Sequence, residues 1–144
     1  MKANELTDGI YVYFNCFDGS RVIVKVTGFK NSVVYGVSEY GAHWCQISKI
    51  KPISITTEIL KKNGFEKVLD EDGIECYHYY NSANDGYIKI SLYNGGDGGW
   101  SIEIVNYEKF DDNKIVYNNN FIFLKVHQLQ HALRLCGIKK EIIL

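Results

Sequence analysis

Apolar and polar residues alternate with period two over most of this chain, the signature of half-buried strands. In the first third, 10–14 (IYVYF) predicts a strand, and Asp18-Gly19 predicts a hairpin turn. Residues 21–26 follow, with Val22, Val24 and Val26 on one face. Lys30-Asn31-Ser32 marks a second turn before strands over 33–37 and 44–50. Short, closely spaced strands separated by turn signals predict a small curled antiparallel sheet or SH3-like barrel. Pro52, the only proline, ends this region, because proline cannot donate to a sheet ladder.

A helix is expected over 57–63, with Thr56 as N-cap, Glu58 in its first turn and Gly64 as the terminating glycine. The strand period then returns over 65–69, 74–80, 87–93, 100–105 and 114–117. Asn81-Ser82-Ala83-Asn84-Asp85-Gly86 and Asn118-Asn119-Asn120 read as turns. Over 124–136 the period changes to that of a helix, with Val126, Leu129, Leu133 and Cys136 as its apolar stripe and Gly137 as its stop. The fold class is therefore α+β: a small β-barrel-like subdomain over 1–53, then a helix, a β-meander and a C-terminal helix over 54–144, read as one compact unit.

The segment Tyr93-Asn94-Gly95-Gly96-Asp97-Gly98-Gly99-Trp100 invites comparison with a phosphate-binding loop. Such a loop leads from a strand into a helix N-terminus. Here the following residues alternate, so they form a strand. Pairing Leu92 with Ile102 and Ile90 with Ile104 sets Asn94 opposite Trp100 and leaves 95–99 as a five-residue hairpin loop. That register also sets Ser91 opposite Glu103 on the polar face. Four glycines exceed the needs of a turn, so the loop doubles as a candidate binding rim.

Composition narrows the function. The chain has 144 residues, a formal charge of -1 and 23% charged residues. Near-neutrality argues against non-specific nucleic-acid binding, which needs a strong basic field. No apolar run reaches the length of a membrane span, and the start lacks the apolar centre of a signal peptide; a cytoplasmic protein with no membrane partner is expected. Cys16, Cys45, Cys76 and Cys136 form no C-x-x-C pair and read as reduced, mostly buried thiols. Aromatic residues reach 14%, with 11 tyrosines.

Candidate chemistry is thin. His127-x-x-x-His131 has the spacing of a zinc-protease helix, but Gln128 stands where the general-base glutamate belongs, and both histidines fall opposite the apolar stripe. The pairs His43/Cys45 and Cys76/His78 each point to one face of a strand, and would make a zinc site only if the strands met. The acidic Asp70-Glu71-Asp72-Gly73 lacks the flanking helices and distal glutamate of a calcium loop. There is no G-x-S-x-G elbow. No metal, cofactor or catalytic residue is assigned. Two aromatic clusters remain, at 40–44 (YGAHW) and 77–80 (YHYY). With the glycine loop they give a candidate ligand site of Tyr40, His43, Trp44, Tyr77, Tyr79, Asn94, Gly95, Gly96 and Trp100, as stacking platforms for a flat ligand.

The opening Met1-Lys2-Ala3-Asn4-Glu5-Leu6 resembles a class of small uncharacterised proteins from phages and mobile elements of gut anaerobes. So do Ile50-Lys51-Pro52-Ile53, Glu58-Ile59-Leu60, Gly64-Phe65 and Val126-His127-Gln128-Leu129-Gln130. Thr7-Asp8-Gly9-Ile10 departs from the Arg-Ile-Gly-Asn that the class carries after its opening. The resemblance implies an accessory protein made inside a bacterial cell. The expected function is non-enzymatic binding of a small polar or nucleotide-like ligand, or of a host protein, with counter-defence sequestration of a nucleotide-type signal as the concrete version. An assembly module, including a homo-oligomer, and a hydrolase of a nucleotide signal are the alternatives.

Overall fold

The computed structural model describes residues 6, 9–16, 18–83, 86–94, 100–108, 114–121 and 124–144. The chain is α+β and mostly sheet: the described residues form ten strands in two five-stranded antiparallel sheets, and two α-helices. It divides into unit 1, Met1–Ser54 with Lys125–Gln130, and unit 2, Ile55–Leu124 with His131–Leu144.

Unit 1 holds β1 (Tyr11–Asn15), β2 (Arg21–Lys30), β3 (Val33–Ser38), β4 (Gly41–Gln46) and β5 (Ile50–Pro52), in the order β4-β3-β2-β1-β5. Asp18 builds the first turn by accepting from the Ser20 amide and hydroxyl. Asn31 and Ser32 both take positive φ, the twist that a two-residue hairpin demands. One face buries Leu6, Ile10, Val12, Phe14, Val24, Val26, Val34 and Ile50, with Cys45 and Ile47 packed against them. The expected barrel is not closed: β4 and β5 are the two edges of an open sheet. The single strand expected over 44–50 is broken by a 3-10 turn, Ile47–Lys49, and β5 then crosses to pair with β1. Pro52 sits at the end of that edge strand, where its missing N–H is tolerated.

Unit 2 is a plain meander of β6 (Glu66–Leu69), β7 (Glu75–Ala83), β8 (Gly86–Asn94), β9 (Trp100–Glu108) and β10 (Lys114–Phe121), in sheet order β10-β9-β8-β7-β6. The register expected from the sequence is the one observed: Leu92 faces Ile102, Ile90 faces Ile104 and Asn94 faces Trp100. Helix α1 (Thr57–Lys62) starts at Thr56, whose hydroxyl accepts from the Ile59 amide. Thr57 Oγ1 meets the Tyr77 hydroxyl at 3.2 Å, tying α1 to the sheet. Asn63 bonds both the amide and the carbonyl of Ile143, which fixes the tail beside α1.

Several local expectations are corrected. Residues 81–83 and 118–120 are strand, not turn; pairing with β8 and β9 outweighs the turn preference of asparagine and serine. Ser91 does stand opposite Glu103, as the register predicts, and is fully buried in the middle strand between His78 and Glu103. His127, placed in solvent, is buried, while His131 is exposed; of the four cysteines, expected mostly buried, only Cys76 is so, and Cys16, Cys45 and Cys136 are half-buried. In helix α2 (Val126–Leu135) Val126, His127, Leu129, Gln130, Ala132 and Leu133 are buried, more of the circumference than a single stripe. No helix among the described residues is long and apolar enough to cross a membrane.

Candidate functional site

The outer face of the unit 1 sheet follows from strand alternation and one bulge in β2. With Val12, Val24, Val26 and Val34 turned inward, the intervening residues must face out. Tyr11 and Tyr13 come from β1, Arg21, Ile23 and Lys25 from β2, and Lys51 from β5. Val33, Tyr35 and Val37 come from β3, and Ala42 and Trp44 from β4. A bulge between Val26 and Gly28 shifts the phase of β2 by one residue, so Gly28 faces out beside Tyr35, and Lys30 beside Val33.

Trp44 and Tyr35 are cross-strand partners, 69% and 45% exposed. Ile23, Val37 and Tyr40 are also exposed. On the other side of Tyr35, Gly28 leaves a notch: a Cβ there would meet nothing within 4 Å. The Lys25 ammonium lies 5.9 Å from the Tyr11 ring centre. Among the described strand positions this face carries Arg21, Lys25, Lys30 and Lys51 and no carboxylate. Exposed aromatic and aliphatic surface ringed by cations suits a flat, anionic partner.

The other candidate residues are used differently. His43 lies on the opposite side of β4 from Trp44, and its Nε2 is 2.7 Å from Ser38 Oγ, which also accepts from the Tyr40 amide. It supports the β3–β4 turn. Tyr40 stands exposed in that turn, and the Glu39 carboxylate beside it raises its phenol above the ordinary value. Tyr77 and Tyr79 belong to unit 2. Tyr77 is buried with its ring 6.0 Å from that of Trp100; Tyr79 packs between Phe65, at 5.3 Å, and the Lys140 ammonium, at 4.5 Å. Asn94 and Trp100 are half-buried partners at the end of the β8–β9 hairpin, and Gly95 and Gly96 lie outside the described residues. Thus Tyr40 and Trp44 stand exposed in unit 1, while Tyr77, Tyr79, Asn94 and Trp100 gather in unit 2.

The opposite face of the unit 2 sheet carries an aromatic run that the sequence reading missed. Tyr80 and Tyr87 are 5.8 Å apart, and Tyr87 stacks on Tyr107 at 4.6 Å and 13°. His78 meets Tyr80 edge-on, and its Nε2 is 3.5 Å from the Cys76 thiol. Burial, and secondarily the Lys89 charge, lowers the His78 pKa; burial raises that of Cys76. Both groups are therefore biased to neutrality, which opposes thiolate chemistry. His43 and Cys45 are in unit 1, Cys76 and His78 in unit 2, and no cluster of three metal-ligating side chains occurs among the described residues. No protein-family model, curated protein or solved structure matches the chain.

Proposed function

We propose that the protein is a non-catalytic binding protein whose recognition surface is the outer face of the unit 1 sheet, and that its ligand is flat and anionic, of the nucleotide class. One observation supports this above the rest: Trp44 and Tyr35 stand exposed side by side on a face whose charged strand positions are all cationic among the described residues. The rings supply stacking area, and Arg21, Lys25, Lys30 and Lys51 supply the counter-charge. In the setting implied by the resemblance to mobile-element proteins, such binding would sequester a nucleotide-type signal.

The test is titration of the protein with a panel of mono-, di- and cyclic nucleotides, followed by tryptophan fluorescence and calorimetry. Binding by the parent and at least tenfold weaker binding by Trp44→Thr supports the reading. Gly28→Leu, which fills the notch where the structure leaves space, is expected to weaken binding with the fold intact. Unchanged affinity in both variants would place the site elsewhere.

A further inference from the structure

The cations on this face are spread too widely for a single nucleotide. Arg21 and Lys30 are the first and last residues of β2, a ten-residue strand. At about 3.3 Å per residue they stand roughly 30 Å apart along it. Lys51 pairs with Tyr13, and Lys25 pairs with both Tyr11 and Val37, so positive charge follows the aromatic positions across the sheet. One nucleotide can reach either end of this array, not both. A chain of anions separated by flat rings can reach both ends while seating its rings on Trp44, Tyr35 and Tyr13.

We propose that the face binds single-stranded nucleic acid, with bases against the aromatic side chains and phosphates against Arg21, Lys25, Lys30 and Lys51; this rests on the reading above of the same surface. The whole-chain charge of -1 conceals the arrangement. Over 9–54 the described residues carry Arg21, Lys25, Lys30, Lys49 and Lys51 against only Asp18 and Glu39. Asp18 and Glu39 both lie in turns rather than on the strands of this face. A single strand is favoured over a duplex because stacking needs an unpaired base, whose π-face is open. The length accommodates about four nucleotides, the low end of single-strand site sizes.

Fluorescence anisotropy of a labelled twelve-residue oligo-dT and oligo-U with the full chain tests this across a salt series. The expected result is binding at low salt with a log–log slope of about −2 to −3, from three or four phosphate contacts. Arg21→Gln and Lys30→Gln should each flatten the slope by about 0.7. Trp44→Thr should weaken binding by about five- to a hundredfold, while Tyr87→Thr in unit 2 leaves it unchanged. If mononucleotides bind as tightly as the oligomer, the polymer inference falls and the small-ligand reading stands. If neither binds, both fall. Equal binding of a duplex or of poly-glutamate would also overturn the inference, since it would show a charge effect without stacking.

Discussion

The two sheets use similar strand patterns and aromatic residues to opposite ends. In unit 1, Trp44 and Tyr35 are presented to solvent beside cations. In unit 2, Tyr80, Tyr87 and Tyr107 contact one another in sequence, and Glu103 and Lys89 place both signs of charge on that face. Rings that stack on each other already gain their interaction energy within the fold. Rings left exposed have that interaction still to make. The difference shows why a count of aromatic residues is a poor guide to a binding site, and why the partners of each ring are a better one.

The comparison can be broken most forcefully at Gly36. A Cβ there would lie 2.2 Å from Val24 Cγ1 and 2.6 Å from the Lys25 carbonyl oxygen. Gly36→Ala should therefore cost about 1–3 kcal/mol, as overpacking does, and disturb the strands that carry Tyr35 and Lys25; chemical denaturation measures the loss. In unit 2, Tyr87→Thr removes the centre of the tyrosine run and should cost about 1 kcal/mol. The same denaturation experiment would show no loss if the rings merely adjoin.

A pH experiment sharpens the contrast. Because the folded His78 pKa lies below the ordinary value, the unfolded chain takes up its proton first. Stability from this group is complete above about pH 6.5 and is lost as pH falls through the lowered folded value. Thermal melts from pH 7.5 to 5 should show this decline, and His78→Gln should flatten it. The smallest effect belongs to Trp44→Thr, which should shift unfolding free energy by about 0.5 kcal/mol or less. A larger loss would mean that Trp44 serves the fold, and would weaken its assignment as a recognition residue.

The inward and outward positions of the unit 1 sheet were present in the local pattern, but of the residues first singled out only Trp44 stands on the strands of its outer face, with Tyr40 in the adjoining turn. Alternation alone separates Val24 and Val26 from Ile23 and Lys25, and Val34 from Tyr35. The β8–β9 register followed from matching Ile90 and Leu92 to Ile104 and Ile102, because a slip of one residue would turn every apolar side chain outward. The cationic surface was not legible, because Lys30 joins the face of Arg21 only through the bulge in β2, and Lys51 joins it only after β5 pairs with β1 and β1 with β2. Nor was the Tyr80–Tyr87–Tyr107 run, which joins three strands.

By itself the sequence determined the strand periods, most turns and the absence of a recognisable catalytic motif, since these depend on neighbours a few residues apart. Tertiary structure decided the open sheet instead of a barrel, the burial of Ser91 and His127, and the strand conformation of 118–120. It also decided which aromatic residues are satisfied and which are exposed. Each of those outcomes depends on what another segment brings alongside, and no single stretch of chain encodes its partner's surface.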